Sequence, residues 1–128
     1  GCTHKFGLFQ NSVDNTVVTP LFDALYERNL IENGETLSNE ESALVGGSSD
    51  VGNISQVVPV IQPTISISDT PITPHAIDFK AASISPRGIA SIELGATLLA
   101  QTAFDLITNP DLLNEIKEQH QLNVLAQD

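Results

Sequence analysis

Apolar residues recur at helical spacing in two long stretches of this chain. Val18, Leu21, Phe22 and Leu25 fall at steps of three and four, which predicts a helix over 17–30 with those side chains on one face. Pro20 suits the first turn, where its missing N–H costs no hydrogen bond, and Asp14 or Thr16 is the expected cap. Ile89, Ile92, Ala96, Leu99, Ala103 and Leu106 repeat the spacing and predict a long helix over 86–107, whose small residues suggest close packing against a sheet or another helix. Ser85-Pro86 opens that helix as cap and first-turn proline, and Asn109-Pro110 closes it. A third, shorter helix is expected over 111–121, with Leu112, Leu113 and Ile116 inward and the tail fraying.

Two other stretches alternate with a period of two. Ile65 and Ile67 alternate with Ser66 and Ser68, the pattern of a strand with one buried face. Residues 1–8 alternate weakly and read as a strand with no hairpin partner nearby. Together these elements predict an α/β fold, a partial sheet flanked by three main helices. A partial sheet leaves edges and apolar faces bare, so association is expected, with a second copy or with a missing part of the chain.

The 128 residues make one ordinary domain, and 41% apolar content is enough for a core. Five Lys and Arg against 16 Asp and Glu give a net charge of −11. Five scattered cations cannot supply the clustered positive charge that phosphate backbones or anionic lipids require, which excludes nucleic acid and the membrane surface as partners. The single cysteine, Cys2, rules out an internal disulfide and a multi-thiolate zinc site, and reads as a reduced thiol in a cytoplasmic protein. No apolar run approaches the roughly 20 residues of a membrane span. The absence of Met and the orphan strand both point to a fragment of something longer.

Two places could carry chemistry. Gly46-Gly47-Ser48-Ser49-Asp50 lets backbone amides approach an anion or a carbonyl closely, with hydroxyls to donate and a carboxylate to orient a neighbour. The same residues also make an ordinary turn. His75 lies in a loop before the long helix and can present a ring nitrogen to a metal, with Asp69 or Asp78 near enough in sequence to orient the other nitrogen. A solvated loop histidine is the plainer alternative. His4 and His120 have no evident partners, and His120 is expected in a final helical turn, where positive charge suits the dipole.

The order of these pieces resembles the C-terminal end of the aminoacylase and carboxypeptidase-like dinuclear-metal amidohydrolases. The Gly46-Gly47-Ser48-Ser49-Asp50 loop is followed by Gly52-Asn53-Ile54-Ser55 and Val57-Val58-Pro59, then by Pro74-His75 with Phe79, then by Ser85-Pro86-Arg87-Gly88 and an Ala-rich helix. The Ser-Ser-Asp-Val-Gly-Asn-Ile-Ser form is most similar to the p-aminobenzoyl-glutamate hydrolase branch. The resemblance implies the C-terminal portion of a mixed-sheet, zinc-exopeptidase-like catalytic domain at 11–128. It makes residues 1–10 the last strand of a lid or dimerisation domain. It implies that His75 binds one metal, zinc or manganese, in a dinuclear centre. Gly47, Ser48, Ser49, Asp50 and Asn53 would form the wall that receives an amino-acid amide.

The family's His-x-Asp motif, its bridging Asp, its further acidic ligand and its general-base Glu lie upstream and have no counterpart here. No catalytic residue is therefore assigned to this chain. One imidazole cannot hold a catalytic zinc, which takes three protein ligands. The expected partner is the upstream part of the enzyme or a second subunit. Two rival expectations are a non-catalytic module derived from such an enzyme and an unrelated acidic domain that binds a small anion at the glycine-serine loop.

Overall fold

A computed structural model describes residues 1–37 and 49–127. It contains five helices among those residues: α1 (Pro20–Glu32), α2 (Val51–Ser55), α3 (Ile77–Ser83), α4 (Pro86–Thr108) and α5 (Pro110–Leu125). α4 is the centre of the arrangement, with α1, α3 and α5 all packed on it and α1 also touching α5.

Local chemistry sets the helix starts. Ser85 Oγ accepts the Gly88 N–H at 3.0 Å, and Pro86 follows as the first helical residue, as expected. Asn109 ends α4 and opens α5 at once, its Oδ1 accepting the Leu112 N–H at 3.2 Å. α5 then runs four residues beyond the expected end, to Leu125. α1 departs from its expected cap: Thr19 precedes Pro20 without a side-chain cap bond, and neither Asp14 nor Thr16 serves. Instead Gln119 of α5 accepts the Leu21 N–H at 2.8 Å, so a tertiary contact satisfies a free helix-start donor.

The core is small. Val17, Leu25, Tyr26, Leu98 and Ile116 are its buried apolar side chains. The α1–α4 seam adds a polar clasp. Buried Asn29 donates to Thr102 Oγ1 at 3.2 Å and to Asp105 Oδ2 at 2.9 Å, and Arg28 meets the same carboxylate at 2.8 Å. Asn29 joins Leu25 and Tyr26 on the inner face of α1, whereas Val18 lies before the helix and is more than half exposed.

Two expectations are corrected. The α/β reading does not hold for the described residues, which are helical with no strand. Residues 1–8 form neither helix nor strand, with Phe6 and Leu8 nearly fully exposed. Residues 64–68 likewise form neither helix nor strand and bend at Ile67 and Ser68; Ile65, Ile67 and Ser68 are half-buried while Thr64 and Ser66 face solvent. The alternation therefore matches burial only as far as Ile67, since Ser68 is half-buried too, and it does not report pairing. A period of two sets which face is covered, but a ladder also needs a second strand alongside. Ile65 lies over α4 instead, its Cδ1 3.3 Å from where a Cβ on Gly95 would sit.

The second correction concerns α4. Gly88, Leu98 and Thr102 are its buried residues. Ile89, Ile92 and Leu99, which mark the spacing of a helix expected to pack closely, are 60%, 70% and 60% exposed. α4 is apolar on more than one side, so spacing alone does not say which side meets α1 and α5.

Candidate functional site

The glycine-serine loop enters the described residues only at its end. Gly46, Gly47 and Ser48 lie outside them, and Ser49 and Asp50 lead into α2. Ser49 Oγ accepts the Val51 N–H at 3.2 Å and lies 3.4 Å from the Gln62 side-chain amide. Asp50 precedes the helix as its N-cap residue, exposed and without a side-chain cap bond.

α2 is held from behind by the segment 12–17. Asn53 Nδ2 donates to Asp14 Oδ2 at 3.0 Å and to the Ser12 carbonyl at 3.3 Å, and Asn53 Oδ1 accepts the Asp14 N–H at 3.4 Å. The Asn53 side chain is thus engaged with residues 12–14. Ser55 continues the attachment. Its buried Oγ accepts the Val17 N–H at 2.9 Å and donates to the Gly52 carbonyl at 2.6 Å. The approach is close: a Cβ on Gly52 would stand 2.0 Å from the Asp14 carbonyl oxygen, so only glycine fits there.

The last anchor is His120, and here the sequence expectation is corrected. His120 is 4% exposed, and its Nε2 lies 2.7 Å from the Ser55 carbonyl oxygen. A carbonyl only accepts, so Nε2 carries the proton. The ring ties α5 to the end of α2 rather than facing solvent at a helix terminus. Its position four residues after buried Ile116 was the available signal, since both fall on one helical face. A hollow of about 470 Å³ opens beside it, lined by Val57, Pro59, Lys117 and Val124 among others.

His75 sits apart from this cluster in the chain, in the turn before α3. It is exposed and borders an open hollow of about 420 Å³ with Pro74, Ile77 and Phe79. Its φ of 66° is the one positive value at a non-glycine residue among those described. That left-handed conformation is costly for a side-chain-bearing residue and often marks a functional position. Of its two proposed orienters, Asp69 lies near enough to Arg87 to favour the charged guanidinium, and Asp78 occupies the first turn of α3. Arg87 itself is clasped to Glu35 at 2.7 Å. The hydrogen bond from Arg87 holds the Glu35 carboxyl below the usual range, against a smaller opposing effect of burial.

The donor set does not make a metal centre by itself. Among the described residues no group of three or more His, Cys, Asp or Glu side chains is placed to hold an ion. A lone exposed imidazole falls short of the three protein ligands of a catalytic zinc.

Comparison with known proteins finds relatives by sequence. The chain is 35% identical to the human (Homo sapiens) Xaa-Arg dipeptidase over 100 residues, 73% of the chain and 23% of that protein. It is 30% identical to the mouse (Mus musculus) Xaa-Arg dipeptidase over 121 residues, 93% of the chain and 28% of that protein. The chain is a distant relative of a dipeptidase. It spans about a quarter of the length of these curated relatives. No family model matches it. No helix among the described residues is long and apolar enough to cross a membrane.

Proposed function

We propose that this chain is one piece of a metal-dependent peptidase or amidohydrolase and is not active alone. The similarity to two Xaa-Arg dipeptidases, extending over most of the chain, carries this reading. Residues 11–128 form the C-terminal part of the catalytic domain, and residues 1–10 end a lid or dimerisation domain. The sheet that the described residues lack belongs to the remainder of the polypeptide. The enzyme works in the cytoplasm as a homo-oligomer, on an amide of an amino acid: a dipeptide with C-terminal Arg, or an aminobenzoyl-glutamate-like conjugate.

In this reading His75 supplies one imidazole to a two-metal centre of zinc or manganese, and the other donors come from outside the chain. When bound, such ions polarise a carbonyl and acidify water. The strained backbone at His75 supports a role for its exact orientation. Gly47, Ser48, Ser49 and Asp50 line the substrate side. Asn53 acts one step back, holding α2 to residues 12–14 so that the wall keeps its place.

The test uses the product of the uninterrupted reading frame that contains these residues. It should hydrolyse Xaa-Arg dipeptides or aminobenzoyl-glutamate, the 128-residue chain alone should not, and His75→Ala should abolish turnover. Undiminished hydrolysis by His75→Ala sinks the metal assignment. Absence of amide hydrolysis by the longer product sinks the peptidase reading.

A further inference from the structure

The outward side of α4 is more apolar than its buried side. Ile89, Ile92, Ala96, Leu99, Ala103 and Ile107 follow one another at steps of three and four along about 27 Å of helix. All six are exposed, Ile107 at 78%. The adjoining side, about a quarter-turn round the helix, carries Gly88, Leu98 and Thr102 into the core. A helix in water arranges the reverse, so a stripe of this length marks a contact surface.

The choice of occupant follows from two observations. Other apolar side chains are bare on other elements: Phe6 and Phe9 near the start, Ile77 on α3 and Ile84 beside it, each more than three-quarters exposed. A larger body covers several patches together. The relatives supply its scale, since the aligned region makes up only 23% and 28% of their lengths. We infer that the outward stripe of α4 seats the remainder of a longer polypeptide, an inference that rests on the peptidase-fragment reading above. Ala96 and Ala103 between the branched residues let a covering backbone come close.

The experiment places the photo-reactive residue benzoylphenylalanine at position 92, or at position 99, in the product of the full reading frame. Cross-links mapped by mass spectrometry should end on residues outside these 128. Oxidative footprinting of the unsubstituted product, which needs no variant to fold, should show Ile92 and Leu99 protected about fivefold or more relative to the 128-residue chain, since labelling follows exposure. Cross-links into α4 of a second copy overturn the inference. So do equal labelling in both proteins and a reading frame that encodes no further chain. Dipeptide hydrolysis is scored on the same product. Hydrolysis with an unprotected stripe sinks the seat and spares the peptidase reading; protection without hydrolysis does the reverse.

Discussion

Replacing Gly52 with alanine tests how α2 is held. The new Cβ would stand 2.0 Å from the Asp14 carbonyl oxygen and 3.0 Å from its carbon, both backbone atoms. A normal contact needs more than 3 Å, so the segment must retreat by about 1 Å or more. Retreat stretches the Asn53–Asp14 bonds and pulls the Val17 N–H from the buried Ser55 hydroxyl. Overpacking costs about 1–3 kcal/mol and the buried hydrogen bond about 1 kcal/mol more, against about 1 kcal/mol regained from the better helix propensity of alanine. The expected net loss is about 2 kcal/mol. Gly95→Ala is the internal control, because the Cβ there meets only the flexible Ile65 Cδ1 at 3.3 Å. It should be neutral or stabilising by up to about 0.5 kcal/mol. Urea unfolding followed by circular dichroism measures both. Equal stability of the two variants would refute the argument that backbone crowding, and not glycine as such, decides the effect.

Other substitutions probe the remaining contacts. His120→Leu leaves the Ser55 carbonyl without its partner and should cost about 1–3 kcal/mol in the same assay. At His75, glycine relieves the left-handed strain and alanine does not, so His75→Gly should be more stable than His75→Ala by about 1 kcal/mol, while both lack the imidazole. The hydrogen bond from Arg87 lowers the Glu35 pKa in the folded state, so the pair stabilises fully above the ordinary glutamate pKa and its contribution fades as pH falls through the lowered value. Glu35→Gln should therefore lose less stability than the parent when pH drops from about 6 to about 3, as read by thermal melting.

Much of the helical structure was legible because its signals are local. Ser85-Pro86 and Asn109-Pro110 carry their own capping chemistry, and both helix boundaries fall where those pairs stand. Pro20 likewise sits at the start of α1. The Ile65 and Ile67 alternation correctly marked a half-covered segment. The candidate site was less legible. Nothing near Asn53 or Ser55 in the chain shows that residues 12–17 return to bind them, since the partners lie 38 to 41 positions away. His120 likewise meets an acceptor 65 residues distant.

The sequence by itself determined where α1, α4 and α5 begin, through the prolines at those junctions, and the acidic balance of the chain. These depend on backbone geometry and total charge, both properties of neighbouring residues or of simple sums. Tertiary structure decided which side of α4 is covered, that the segments with a period of two form no strand among the described residues, and that a histidine with no evident partner in the sequence is a buried tie. Each of those outcomes depends on which distant surface arrives. An apolar pattern fixes the wish to be buried, while the partner that satisfies it is chosen only when the chain folds back on itself.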